Sequence, residues 1–92
     1  MNAVIDIIPK GHSNAITIDE IERRTGFSNR EIRRAIAASE ELVINIQDGK
    51  GYFKPKKTES RLVEQWKKQT LSRVKELNYR ASLAMQWQIE NR

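Results

Sequence analysis

The chain has 92 residues, 38% hydrophobic and 32% charged, with a net charge of +5. That length allows one domain with a modest core and leaves little room for a deep cleft between layers. With no cysteine and a single histidine, His12, disulfide scaffolds, thiolate chemistry and a His-only metal site within one chain are excluded.

Residues 2–8 carry Val4, Ile5, Ile7 and Ile8. Val4, Ile5 and Ile8 fit a helical face, whereas Ile5 and Ile7 fit strand alternation, and so short a run does not decide between them. Residues 9–14 read as a loop, in which His12 is expected to be simply solvated. Thr17-Ile18-Asp19-Glu20 has the form of a capping box, and Gly26 suits a left-handed stop, so a helix is predicted over 18–25. Ser28-Asn29-Arg30-Glu31 is a second capping box. Ile32, Ala35 and Ile36 follow at helical spacing, which predicts a helix over 29–39. Two capped helices joined by a short Gly-containing turn form a helix-turn-helix pattern.

Leu42 to Ile46 is β-branched, Asp48-Gly49 is hairpin-turn chemistry, and Gly51 to Lys54 reads as a returning strand ended by Pro55. From Thr58 to Asn91 there is neither Gly nor Pro. Val63, Trp66, Thr70, Val74, Leu77, Ala81 and Ala84 step by three and four, which predicts one amphipathic helix of about 33 residues, roughly 50 Å long.

Helix, helix pair and basic two-stranded ribbon occur here in the order of a winged helix-turn-helix domain. Residues 15–55 resemble that family, including the DNA-binding domain of the biotin repressor and small phage-encoded winged helix proteins. The motifs that carry the resemblance are Thr17 to Gly26, Ser28-Asn29-Arg30-Glu31-Ile32, and Gly49-Lys50-Gly51-Tyr52. The expected fold is mostly α with a small β-hairpin wing: a winged helix-turn-helix domain over residues 1–57, then a long amphipathic C-terminal helix over 58–92. The resemblance implies double-stranded DNA as partner and a role in phage-type replication initiation or transcription regulation.

The charge distribution bears on that partner. Residues 1–47 hold six Lys/Arg against seven Asp/Glu, and residues 48–92 hold eleven against five. With Ile32, Ala35 and Ile36 facing inward, the second helix of the pair directs Asn29, Arg30, Arg33 and Arg34 outward. Arginine's planar fork suits guanine or phosphate, and asparagine suits adenine. Ser28 at the helix N-terminus and Lys50, Lys54, Lys56 and Lys57 are the expected phosphate contacts. The alternative for each is structural: arginines as a solvated helix face or paired with Glu31 or other local acids, lysines as protection of a hairpin edge.

The long helix supplies a candidate dimer or partner interface at Trp66, Val74, Leu77, Ala81 and Trp87. Trp66 is expected to be core and Trp87, near the helix end, to be interface. The sequence contains no paired catalytic carboxylates in a cleft context and no phosphate-cradling glycine loop, so no enzyme activity, cofactor, metal or small-molecule substrate is expected. Neither a membrane-length apolar run nor a signal-peptide pattern is evident, which gives the expectation of a cytoplasmic protein. The function class set against DNA binding is a protein-interaction module, or an inhibitor of a host protein, docking through the long helix.

Overall fold

The computed structural model describes residues 2–91. Its elements are α1 (Asn2–Ile7), a 3-10 turn at His12–Asn14, α2 (Ile18–Thr25), α3 (Asn29–Ala38), a second 3-10 turn at Lys57–Glu59, and α4 (Ser60–Glu90). The N-terminal run thus resolves as helix, with Val4 and Ile8 on its buried side.

Thr17 caps α2 by accepting a hydrogen bond from the Glu20 backbone N–H at 3.3 Å, but the box is only half formed. The Glu20 carboxylate turns away to meet Arg23 at 2.7 Å and Arg24 at 3.1 Å. Gly26 ends the helix at φ 76°, a left-handed conformation that glycine adopts without Cβ strain. The box of α3 is complete: Ser28 Oγ accepts from Glu31 N–H, and Glu31 Oε1 accepts from Ser28 N–H. These bonds favour the charged carboxylate and hold Glu31 below the usual glutamate range, the Ser28 backbone bond leading.

Two apolar clusters make the core. In the first, Val4 of α1, Ile8 just after it, Ile21 of α2, and Ile32 and Ala35 of α3 meet Val43. The second gathers Ile44, Ile46 and Phe53, covered by Leu62, Val63 and Trp66 of α4. Segment 52–54 lies between the two and is held by backbone bonds on both sides. Ile16 and Tyr52 exchange two hydrogen bonds, as do Ile44 and Phe53; Lys54 N–H donates to Pro9 O, and Gly11 N–H donates to Lys54 O.

Here the structure overturns the expected β-hairpin wing. Among the described residues there is no strand, only single bridges, of which Ile44–Phe53 is the one within segment 42–54. The described residues therefore form four α-helices, the last of them long, and the winged helix-turn-helix assignment does not hold. The reason lies in the register. With Ile44 opposite Phe53, the next hydrogen-bonded pairs of an antiparallel ladder would be Leu42 with Pro55 and Ile46 with Gly51. Pro55 has no N–H to donate. Gly51 sits at φ 103°, and positive φ recurs at Gln47 and Gly49, so the chain bends rather than runs extended. One rung forms and the ladder stops on both sides.

The N-terminal end of α4 is fastened by Glu59, whose carboxylate accepts from the backbone N–H of Lys56 at 2.8 Å and of His12 at 2.9 Å. Gln69 donates to Ile46 O at 3.1 Å and is one of the last residues of α4 to touch the body. Residues 71–91 are all exposed. The radius of gyration, 16.6 Å, exceeds the roughly 12 Å of a compact chain of this length because that part of the helix projects away from the core. No helix among the described residues is long and apolar enough to cross a membrane.

Candidate nucleic-acid interface

The turn at Gly26-Phe27-Ser28 packs α3 across α2, and burial of Ile32 and Ala35 fixes which side of α3 faces water. Asn29, Arg30, Arg33 and Arg34 are all exposed. Arg30 lies at the centre of that face, with Arg33 and Arg34 to either side of it.

The arginines of the two helices differ in their partners. Both arginines of α2 are drawn to Glu20. Among the described residues, no carboxylate lies within ion-pair distance of Arg30, Arg33 or Arg34. The expected competitor, Glu31, is turned back onto the Ser28 N–H by its capping bond. Arg33 Nε donates to Asn29 Oδ1 at 2.5 Å, which orients the guanidinium and leaves its two terminal nitrogens as an end-on fork.

Arg33 also borders the bend at 47–51. A groove of about 230 Å³ is lined by Arg33 with Thr17, Gln47, Gly49 and Gly51. Lys50 is exposed on this bend, and its N–H is held by Asp48 Oδ1 at 3.1 Å. The bend is braced from behind by His12. Since an ionised carboxylate only accepts, His12 Nε2–H donates to Asp48 Oδ2, at 2.5 Å. The imidazole edge packs against Phe53 at a ring separation of 5.2 Å. His12 is thus a structural brace rather than a simply solvated side chain. Its hydrogen bond is the leading cause that holds Asp48 below the usual aspartate range.

The remaining predicted lysines are placed elsewhere. Lys54 is only 13% exposed, and its ammonium lies 3.3 Å from Glu41. Lys56 lays its stem over Gly11, and Lys57 is exposed in the turn before α4. Neither lines the grooves that hold Arg33 or Arg34.

A larger groove, about 440 Å³, runs between α3 and α4 and brings Arg33 to the same lining as Arg73, with Asn45 and Gln47 between them. Glu40 and Glu41 border its other part, so the cationic surface ends toward the C-terminus of α3. Arg73, Asn45 and Gln47 were not among the residues expected from the sequence. Arg73 carried a readable signal, since it stands two helical turns after the core residue Trp66 and so shares its face. Of the residues expected at an interface on α4, Trp66 is half-buried against the second cluster, whereas Val74, Leu77, Ala81 and Trp87 lie on the projecting part.

Comparison with protein-family models, with curated proteins and with solved structures finds no match, so the winged-helix resemblance gains no support there either.

Proposed function

We propose that this protein binds duplex DNA in the cytoplasm, in control of transcription or of replication initiation, with α3 set in the major groove and the Lys50 bend on a flanking phosphate. The observation that carries the reading is the contrast between neighbouring helices. Glu20 occupies the arginines of α2, while Arg30, Arg33 and Arg34 of α3 have no acidic partner and face water together. An unpaired cationic cluster at the N-terminal half of an exposed helix suits a polyanion, and helix width suits the major groove. In this reading Arg30 and Arg33 meet base edges, Asn29 orients Arg33, and Ser28 positions the helix N-terminus.

Titration of duplex affinity against salt tests it. Several phosphate contacts give a log–log slope near −0.9 per contact. A flat salt dependence, or no measurable duplex affinity at low salt, defeats the proposal.

A further inference from the structure

We propose that the projecting part of α4 is a self-association surface, covered in solution by the same part of a second copy of this chain lying antiparallel to it. The helix enters this region with its apolar side already committed. Leu62, Val63 and Trp66 lie on the second core cluster, and the same stripe runs on through Val74, Leu77, Ala81 and Ala84 after the body has ended. Leu77 is 60% exposed, Leu71 59% and Trp87 64%. In proteins most helical stability comes from packing of an apolar face rather than from propensity, and this part of α4 has no such packing within its own chain. Among the described residues no ion pair lies beyond Lys67.

The exposed area has the size of an interface. The chain exposes 7102 Å², whereas a compact protein of 10.7 kDa exposes about 5,500 Å², an excess of about 1,600 Å². A stable association needs about 800 Å² from each partner. The projection therefore has room for such an interface without using α3.

Size order along the stripe selects a second copy and its direction. The large residues, Val74 and Leu77, come first, and the small ones, Ala81 and Ala84, follow. Antiparallel pairing sets Val74 against the partner's Ala84 and Leu77 against the partner's Ala81. Two-fold symmetry repeats both layers, so every layer holds one large and one small side chain and the helix spacing stays even. Parallel pairing would instead stack Leu77 on its equivalent and Ala84 on its equivalent, wide at one end and thin at the other. The antiparallel register also brings Leu71 to the partner's Met85 and the Arg73 guanidinium to the partner's Trp87, a cation–π arrangement. Residues 71–91 hold three Lys/Arg and two Asp/Glu, so two copies repel each other little.

The test is the mass of the full chain in solution by light scattering at micromolar concentration. The expected mass is twice that of one chain, and Leu77→Asp returns it to one. Leu77 lies outside the core, and a cooperative urea unfolding transition of the variant shows that the body remains folded. Direction is read by mixing Val74→Cys chains with Ala84→Cys chains, each otherwise free of cysteine. Antiparallel pairing gives a mixed disulfide dimer under mild oxidation; in a parallel pair the two positions stand about 15 Å apart along the axis and do not join. A monomer, or a dimer indifferent to Leu77→Asp, overturns the surface, since the stripe would then await a different protein or serve none. A dimer without the mixed disulfide overturns the antiparallel arrangement.

Discussion

His12 and Asp48, 36 residues apart in the chain, meet at 2.5 Å and tie the loop after α1 to the bend that carries Lys50. Because folding favours the charged carboxylate, this contribution to stability is complete above the unfolded aspartate value, about 3.9, and is lost as pH falls through the lower folded value. Asp48→Asn is expected to cost about 0.5 kcal/mol near neutral pH, the scale of a solvent-washed pair. Urea unfolding at several pH values is expected to show parent and variant converging in acid. A constant difference down to strong acid would count against the brace.

Of the four glycines, Gly51 is the least able to accept a side chain. A Cβ there would stand 2.1 Å from the backbone oxygen of Ile16, at φ 103°. Gly51→Ala must displace the Ile16–Tyr52 rung or strain the bend, at about 2 kcal/mol or more. The midpoint of urea unfolding reads this cost. Gly49→Ala, where nothing lies within 4 Å of the added carbon, pays only for its φ and is expected to cost less.

The contrast between α2 and α3 separates recognition from general charge. Arg30→Ala and Arg33→Ala each remove a cation that has no carboxylate within ion-pair distance, and each is expected to weaken duplex binding by about 1–3 kcal/mol. Arg23→Ala removes the same charge from a side chain held at 2.7 Å by Glu20 and is expected to change affinity far less. Equal losses at all three positions would point to diffuse electrostatics rather than a site on α3. Competition binding on one duplex at fixed salt makes the comparison.

Ser28→Ala removes the side-chain half of the complete capping box of α3. The expected cost is about 1 kcal/mol of stability, measured by thermal unfolding. Since the cap holds the first turn of α3, duplex affinity is expected to fall with it, although Ser28 carries no charge.

Deletion of residues 75–92 is expected to leave the body folded. Leu62, Val63, Trp66 and Gln69 all precede the cut, and they supply the contacts between α4 and the second cluster. A cooperative unfolding transition that survives the deletion, with self-association abolished, is the expected pair of results. Loss of the transition would show that the projection supports the body.

Much of the helical layout was legible because capping is local. Thr17, Gly26 and Ser28 act on groups within a turn of themselves, and the predicted 18–25 matches α2 while 29–39 overruns α3 by one residue. The outward set on α3 was legible for the same reason, since the apolar positions Ile32, Ala35 and Ile36 on one helix face determine the other. Asp48-Gly49 misled. Its turn chemistry is real, but whether a turn grows into a hairpin depends on pairs several residues away, and here Pro55 and the positive φ of Gly51 stop the ladder at one rung.

Composition and short-range spacing thus settled where α2 and α3 begin, where α2 ends, and which side of α3 is wet, because those depend on backbone groups within one turn. Contacts across the chain decided the rest. Lys54 turned to Glu41, His12 turned to Asp48, and Arg73 came beside Arg33, each through a meeting of segments that no local pattern encodes. How far α4 outreaches its own core was likewise decided by packing, since the apolar stripe reads the same whether or not something lies beneath it.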